Sequence, residues 1–292
     1  MPIEFSTAIR CQWEQGEPDG IASTREKLGI LPPSFSTVWI QDHLQKGTQM
    51  LLESWTTLSF FAAEFPRFTY GHLVDCQSYR NPGLLAKMGA TLQYLTGGRF
   101  IMGLGAGWRE EEYRAYGYDF PSPGVRVAQL AETIEVLRAM WTQSPATYSG
   151  QHYHVEQAYC EPRPDPMIPI MIGSAGKKAM EVAARLADAW TWGGPLEERF
   201  KPLCEQLWRN CEVFGRDSRE ITIWCEVEVE FPEDPADFVQ SSHEEYKLGP
   251  TPADAIAQLR PYVEFGISHF IVHVGDLPTL RRLCAEVLPE FE

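Results

Sequence analysis

Gly98-Arg99-Phe100-Ile101-Met102-Gly103-Leu104-Gly105-Ala106-Gly107-Trp108 is an apolar run that passes without polar relief into a glycine-rich turn. It reads as a buried strand that delivers bare backbone N–H groups to whatever sits at its C-terminal end. Glycine has no Cβ, so the main chain there can approach a flat ring or a phosphate closely, and positive φ costs nothing. A ligand-binding wall is the reading this turn favours.

Seven further β-rich runs alternate with segments of helical periodicity on either side of it: residues 4–9, 37–41, 68–75, 168–172, 189–192, 221–231 and 269–274. Eight βα repeats in about this length predict an α/β fold, a closed (β/α)8 TIM barrel, with catalytic groups at the C-terminal ends of the strands. Residues 126–141 place Leu130, Ile134 and Leu137 on one helical face, and 49–61 is a broad apolar helix that must be buried. The stretch 144–167, a hairpin near 147–154 followed by several prolines, is too long for an ordinary loop and reads as an insertion between the fourth helix and the fifth strand. Adjacent Pro32 and Pro33 forbid helix around Ser23 to Ser34, so the first helix should be short and the region 12–36 unusual.

The 292 residues, 44% hydrophobic and 22% charged, suit one barrel-sized domain covering 1–292. A formal net charge of -15 repels a phosphate backbone, and no basic stripe with interleaved aromatics is present, so nucleic acid is not an expected partner. Seven dispersed cysteines, with no Cys-x-x-Cys pair and no His-rich cluster, fit reduced core thiols rather than a disulfide frame or a metal site. Met1-Pro2-Ile3-Glu4-Phe5 enters a strand directly, and no apolar run reaches the ~20 residues of a membrane span; a soluble, cytoplasmic protein is the expectation.

The ordered set Arg80-Asn81-Pro82, Leu84 to Leu92, Gly97-Gly98-Arg99, Gly105-Ala106-Gly107-Trp108 and Glu111-Glu112-Tyr113 resembles the signature of the luciferase-like flavin and deazaflavin oxidoreductases. Gly150 to Tyr153, Pro169 to Gly176 and Ala183 to Asp188 extend the resemblance, which covers roughly residues 37 to 195. It implies a small organic substrate, a homodimer, and coenzyme F420 (an 8-hydroxy-5-deazaflavin) as hydride carrier. FMN with oxygen in a two-component monooxygenase served by a separate reductase is the alternative. A non-catalytic cofactor-binding protein on the same scaffold is the third reading, since fold does not fix function.

Asp42-His43 directly follows the strand 37–41, which should put both side chains at the barrel mouth. A histidine there can take a hydroxyl proton as hydride leaves the same carbon. The resemblance adds the aspartate at the ring edge; the plainer reading is that His43 only hydrogen-bonds a neighbouring loop. Asp75 and Cys76 end the third strand, where relatives carry a bulge behind the ring, although Cys76 serves equally as a small packing residue. Gly105, Ala106 and Gly107 would lie under the cofactor's ribityl or phosphate portion, with Trp108 either walling off the ring or acting as a core aromatic. Gly173-Ser174-Ala175-Gly176-Lys177 opens a helix after the fifth strand, a ready anion site to which Lys177 adds charge unless it is simply solvated. Arg80, Arg109, Glu112 and Arg126 read as structural ties between loops.

Overall fold

A computed structural model describes residues 3–9, 11–17, 19–240 and 246–291; the reading of Met1 and Pro2 lies outside these. The eight expected strands form: β1 Glu4–Ile9, β2 Phe35–Ile40, β3 Thr69–His72, β4 Phe100–Gly105, β5 Ile170–Gly173, β6 Ala189–Gly193, β7 Thr222–Val229 and β8 His269–Val274. Each pairs in parallel with the next, β8 pairs with β1, and β4 pairs with β5, so the sheet closes. The helices are α1 Gly20–Ile30, α2 Ser54–Glu64, α3 Pro82–Thr96, α4 Glu110–Ala115, α5 Pro123–Thr142, α6 Lys177–Leu186, α7 Lys201–Val213, α8 Pro252–Glu264 and α9 Leu277–Arg282.

Alternate residues of a strand face the same side of a sheet. Ala8, Trp39, Leu73, Met171, Ala189, Trp224 and Ile271 therefore meet inside the barrel as a plug, with Trp39 and Trp224 edge to face at 5.2 Å. Gly71 permits this filling, because a Cβ there would lie 2.4 Å from the Trp39 ring. The Trp39 indole N–H is satisfied by the Ser6 hydroxyl at 2.9 Å. The other faces of the same strands pack on the helices in a larger outer core that includes Phe5, Val38, Phe100, Ile170, Trp190 and Phe270.

Two local readings need correction. Ser23 to Ile30 is helical, in an eleven-residue α1 that Asp19 caps by accepting from the Ile21 N–H. The chain simply finishes the helix before Pro32-Pro33. The segment before it is unusual as expected: Gln12–Trp13 pairs antiparallel with Met50–Leu51. That pairing removes Met50 and Leu51 from the helix expected over 49–61, and α2 starts at Ser54, with Glu53 accepting from the Trp55 and Thr56 N–H groups. The hairpin is present, as antiparallel strands Ala146–Ser149 and His154–Ala158 ahead of β5.

Candidate active site

A cavity of about 670 Å³ opens at the C-terminal ends of the strands. Its wall holds Asp42, His43, Asp75, Cys76, Gly105, Ala106, Gly107, Trp108, Gly173, Ser174, Ala175 and Gly176, which brings together every expected site residue except Lys177. Lys177 begins α6, exposed and outside the lining, because the helix turns its first side chain outward while its N-terminal backbone stays at the mouth.

His43 is anchored by a residue whose sequence reading was only structural. Its Nδ1 lies 2.9 Å from Glu112 Oε1, while the other Glu112 oxygen accepts from the Tyr79 hydroxyl at 2.8 Å and Arg109 donates to Oε1 at 3.2 Å. Burial alone would raise the Glu112 pKa. The hydrogen bonds from His43 and Tyr79, with the charge of His43 and the bond from Arg109, outweigh it and hold the group below the usual glutamate range. An ionised carboxylate only accepts, so the neutral imidazole carries its proton on Nδ1 and leaves Nε2 as a proton acceptor.

Asp42 is committed to the protein's own framework. Arg80 reaches it with two bonds of 2.8 and 3.1 Å, Ser54 donates at 2.6 Å and the Cys76 N–H donates at 2.9 Å. Arg80 also binds Asp75 at 2.7 Å and Glu53 at 2.7 Å. Burial opposes ionisation of both aspartates, but the Arg80 bond and charge carry Asp42 well below the usual carboxylate range. Asp75, fully buried and facing the Asp42 charge, is pushed well above it. Of the two, Asp42 is thus biased toward the ionised form and Asp75 toward the protonated one. Asp75 Oδ2 is buried with no hydrogen-bond partner among the described residues.

The glycine turn is built first for the protein itself. A Cβ on Gly105 would meet Val74 at 2.7 Å and one on Gly173 would meet it at 3.0 Å, so the Val74 side chain occupies the space both glycines leave. Val74 follows a cis Leu73–Val74 peptide and lines the cavity. Gly107 has φ +76°, and a Cβ there would lie 1.9 Å from the Tyr113 hydroxyl and 2.8 Å from Cys76 Sγ. Burial pushes the Cys76 thiol up to about 12, which keeps it a neutral packing group. Trp108 is 69% exposed and stands edge-on to His43 with ring centres 6.1 Å apart, so it is a flap at the mouth rather than a core aromatic.

The far wall was not read from sequence. Trp192, Gly193, Arg199 and Glu226 complete the lining, from β6, the segment after it, and β7. Nothing short in the chain links them; only the barrel register brings them to the mouth. Among the described residues no cluster of His, Cys, Asp or Glu is arranged to hold a metal ion, and no helix is long and apolar enough to cross a membrane.

Residues 26–269 match the family described as luciferase-like monooxygenase. The chain belongs to that family. Among its relatives, an F420-dependent glucose-6-phosphate dehydrogenase of Kineococcus radiotolerans is 25% identical across 95% of this chain and 94% of its own. The luciferase-like fold is also clear in solved structures. An F420-dependent secondary alcohol dehydrogenase, in complex with an F420-acetone adduct, matches with a TM-score of 0.81 at 18% identity, covering 100% of both chains. A long-chain alkane monooxygenase matches with a TM-score of 0.82 at 14% identity, covering 99% of this chain and 91% of that one.

Proposed function

We propose that the protein is a coenzyme F420-dependent oxidoreductase that moves a hydride between the deazaflavin ring and the hydroxyl-bearing carbon of a small organic substrate. The observation that carries this is the His43–Glu112 pair, 2.9 Å apart, at the mouth of a cavity whose adjoining wall is glycine backbone. Alcohol oxidation must remove a proton from oxygen while hydride leaves carbon, and Nε2 of His43 is the acceptor in place for it. Names among the similar proteins, an F420-dependent glucose-6-phosphate dehydrogenase and an F420-dependent secondary alcohol dehydrogenase, support the same cofactor.

The residues present fit such a group. The N-terminus of the ten-residue α6 has no side-chain cap, so its N–H groups and the helix dipole are available to a phosphate beside Gly173 to Gly176. Val74, backed by Gly105 and Gly173, offers an apolar face for a flat ring, and the orphaned Asp75 Oδ2 lies in the same wall. When bound, the deazaflavin supplies the hydride acceptor or donor. The chain's own part is to hold Glu112 ionised, fix the His43 tautomer, take or return the hydroxyl proton at Nε2, and screen the pocket with Trp108. Asp42 and Arg80 position this end of β2 rather than transfer protons.

Titrating the purified protein with F420, followed by quenching of its tryptophan fluorescence, tests the proposal, with FMN run alongside. Saturable F420 binding is expected. No saturation with F420, or tight FMN binding with oxygen consumption in its place, sinks it in favour of the monooxygenase reading.

We also infer a homodimer formed through α2 and α3. Most of the apolar face of α2 is used internally by Trp55, Leu58 and Phe61, but Phe60 on α2 and Leu84, Tyr94 and Leu95 on α3 are exposed. A soluble cytoplasmic location fits a reduced thiol set, all seven cysteines being free.

A further inference from the structure

Two different walls face each other across the cavity. The ends of β3, β4 and β5 offer backbone and small side chains: Val74, Gly105, Ala106, Gly173 and Ala175. The β6–β7 side offers long polar groups instead, Trp192, Arg199 and Glu226. A flat cofactor ring needs the first kind of surface, so the second is left to the substrate.

Glu226 belongs to the floor of that second wall. It lies two residues beyond Trp224 of the plug, on the same face of β7, and Thr191 and His273 stand two beyond the plug residues Ala189 and Ile271. These three side chains meet. Thr191 Oγ1 donates to Glu226 Oε1 at 2.9 Å, and His273 Nε2 lies 3.3 Å from Oε2. Each carboxylate oxygen keeps a further lone pair for an incoming donor. The Trp192 indole N–H is buried nearby in the same wall with no partner among the described residues, ready to donate to a substrate oxygen.

The charge of the lining is equally selective. Among the described residues, its cations are Arg109, held by Glu111 and Glu112, and Arg199, which stands 5.8 Å from the Trp192 ring. Asp42 and Glu112 are already paired with Arg80, Arg109 and His43, which leaves Glu226 as the carboxylate on the substrate side of the lining. Phosphate dianions are held by clusters of cations and helix N-termini. Here the helix N-terminus is taken by the cofactor on the reading above, and the floor on the substrate side carries a carboxylate.

We propose that Glu226 sets substrate choice: it accepts a hydrogen bond from a second hydroxyl or an ammonium group of a small alcohol, and it turns phosphomonoesters away. This rests on the F420 reading for the division of the cavity, and it sets this chain apart in substrate from glucose-6-phosphate dehydrogenase relatives.

Ligand-observed NMR on the full chain without cofactor provides the test, with 1-amino-2-propanol, 2-propanol and glucose 6-phosphate as probes. The amino alcohol should bind at least tenfold tighter than 2-propanol, and glucose 6-phosphate should give no saturable signal. Glu226→Gln, which keeps the bond from Thr191, should abolish the advantage of the amino alcohol, and Glu226→Asp should restore part of it. Glucose 6-phosphate binding as well as the amino alcohol, an unchanged preference in Glu226→Gln, or no saturable binding of any probe overturns the proposal. The F420 titration is read separately: discrimination by Glu226 without F420 binding removes the cofactor and leaves the specificity residue standing.

Discussion

His43 and Glu112, 69 residues apart in sequence, meet at 2.9 Å where the end of β2 faces α4. The contact makes the histidine a directed base: the buried carboxylate takes Nδ1 and leaves Nε2 for the substrate. It also makes Glu112 a positioning residue whose loss has a distinct kinetic signature.

Glu112→Gln should lower kcat by about 10- to 100-fold, the usual cost of losing a group that orients a histidine, with F420 affinity unchanged. Glutamine presents either an oxygen or an amide N–H to Nδ1, so the preferred tautomer is no longer enforced. A parallel loss of F420 binding, or an unchanged kcat, would show that Glu112 only braces the loop.

Arg80 neutralises a buried cluster rather than a ligand. Its guanidinium contacts Asp42, Asp75 and Glu53 at 2.7–3.1 Å, and both aspartates are almost fully buried. Arg80→Met leaves them without a counter-charge, and breaking a buried pair in this way costs about 3–5 kcal/mol. Urea denaturation should therefore show a lower midpoint by that amount of stability. A midpoint within 1 M of the parent, at the same slope, would argue that water reaches the two carboxylates freely.

How much of this was legible beforehand depended on the range of the signal. Phe100 to Leu104 and His269 to Val274 were readable as strands because continuous apolar runs mark chains buried on both faces. The Asp42-His43 mouth followed from its place directly after the strand 37–41. Helix α1 is longer than Pro32-Pro33 suggested, because Asp19, thirteen residues before Pro32, caps it, a start signal present in the sequence. Trp192 and Glu226 had no local mark at all, and Glu112, though part of Glu111-Glu112-Tyr113, bore no sign of its pairing with His43. Their meaning arises when β2, β6 and β7 close into one ring, and a single sequence does not encode that register in any short motif.

Gly107 connects the opening glycine turn to stability. Its φ is +76°, and an added methyl would fall 1.9 Å from the Tyr113 hydroxyl. Gly107→Ala must therefore either rotate the turn or displace Tyr113 from its 3.1 Å contact with Cys76. Backbone strain and overpacking each cost about 1–3 kcal/mol. Thermal unfolding should drop by several degrees, and F420 affinity should fall with it, because the same turn lines the cavity. Unchanged melting would mean the turn is freer than its contacts indicate.

His72 gives the stability a pH dependence of its own. It is fully buried, both ring nitrogens lack a partner among the described residues, and it packs on Trp55 with ring centres 4.5 Å apart. Burial lowers its pKa from 6.5 to about 4; the nearby Asp42 charge favours protonation, but not enough to offset the burial. The unfolded chain takes this proton near pH 6.5 and the folded chain only near pH 4. Between those values the unfolded state binds more protons, so this residue's contribution falls as pH falls and is intact above about 6.5. At about 1.4 kcal/mol per pKa unit the loss approaches roughly 3 kcal/mol by pH 4. His72→Phe keeps a ring against Trp55 and removes the titrating group. Stability measured by urea titration between pH 7 and pH 4.5 should decline less steeply in the variant than in the parent, and parallel curves would show that His72 contributes nothing to the acid sensitivity.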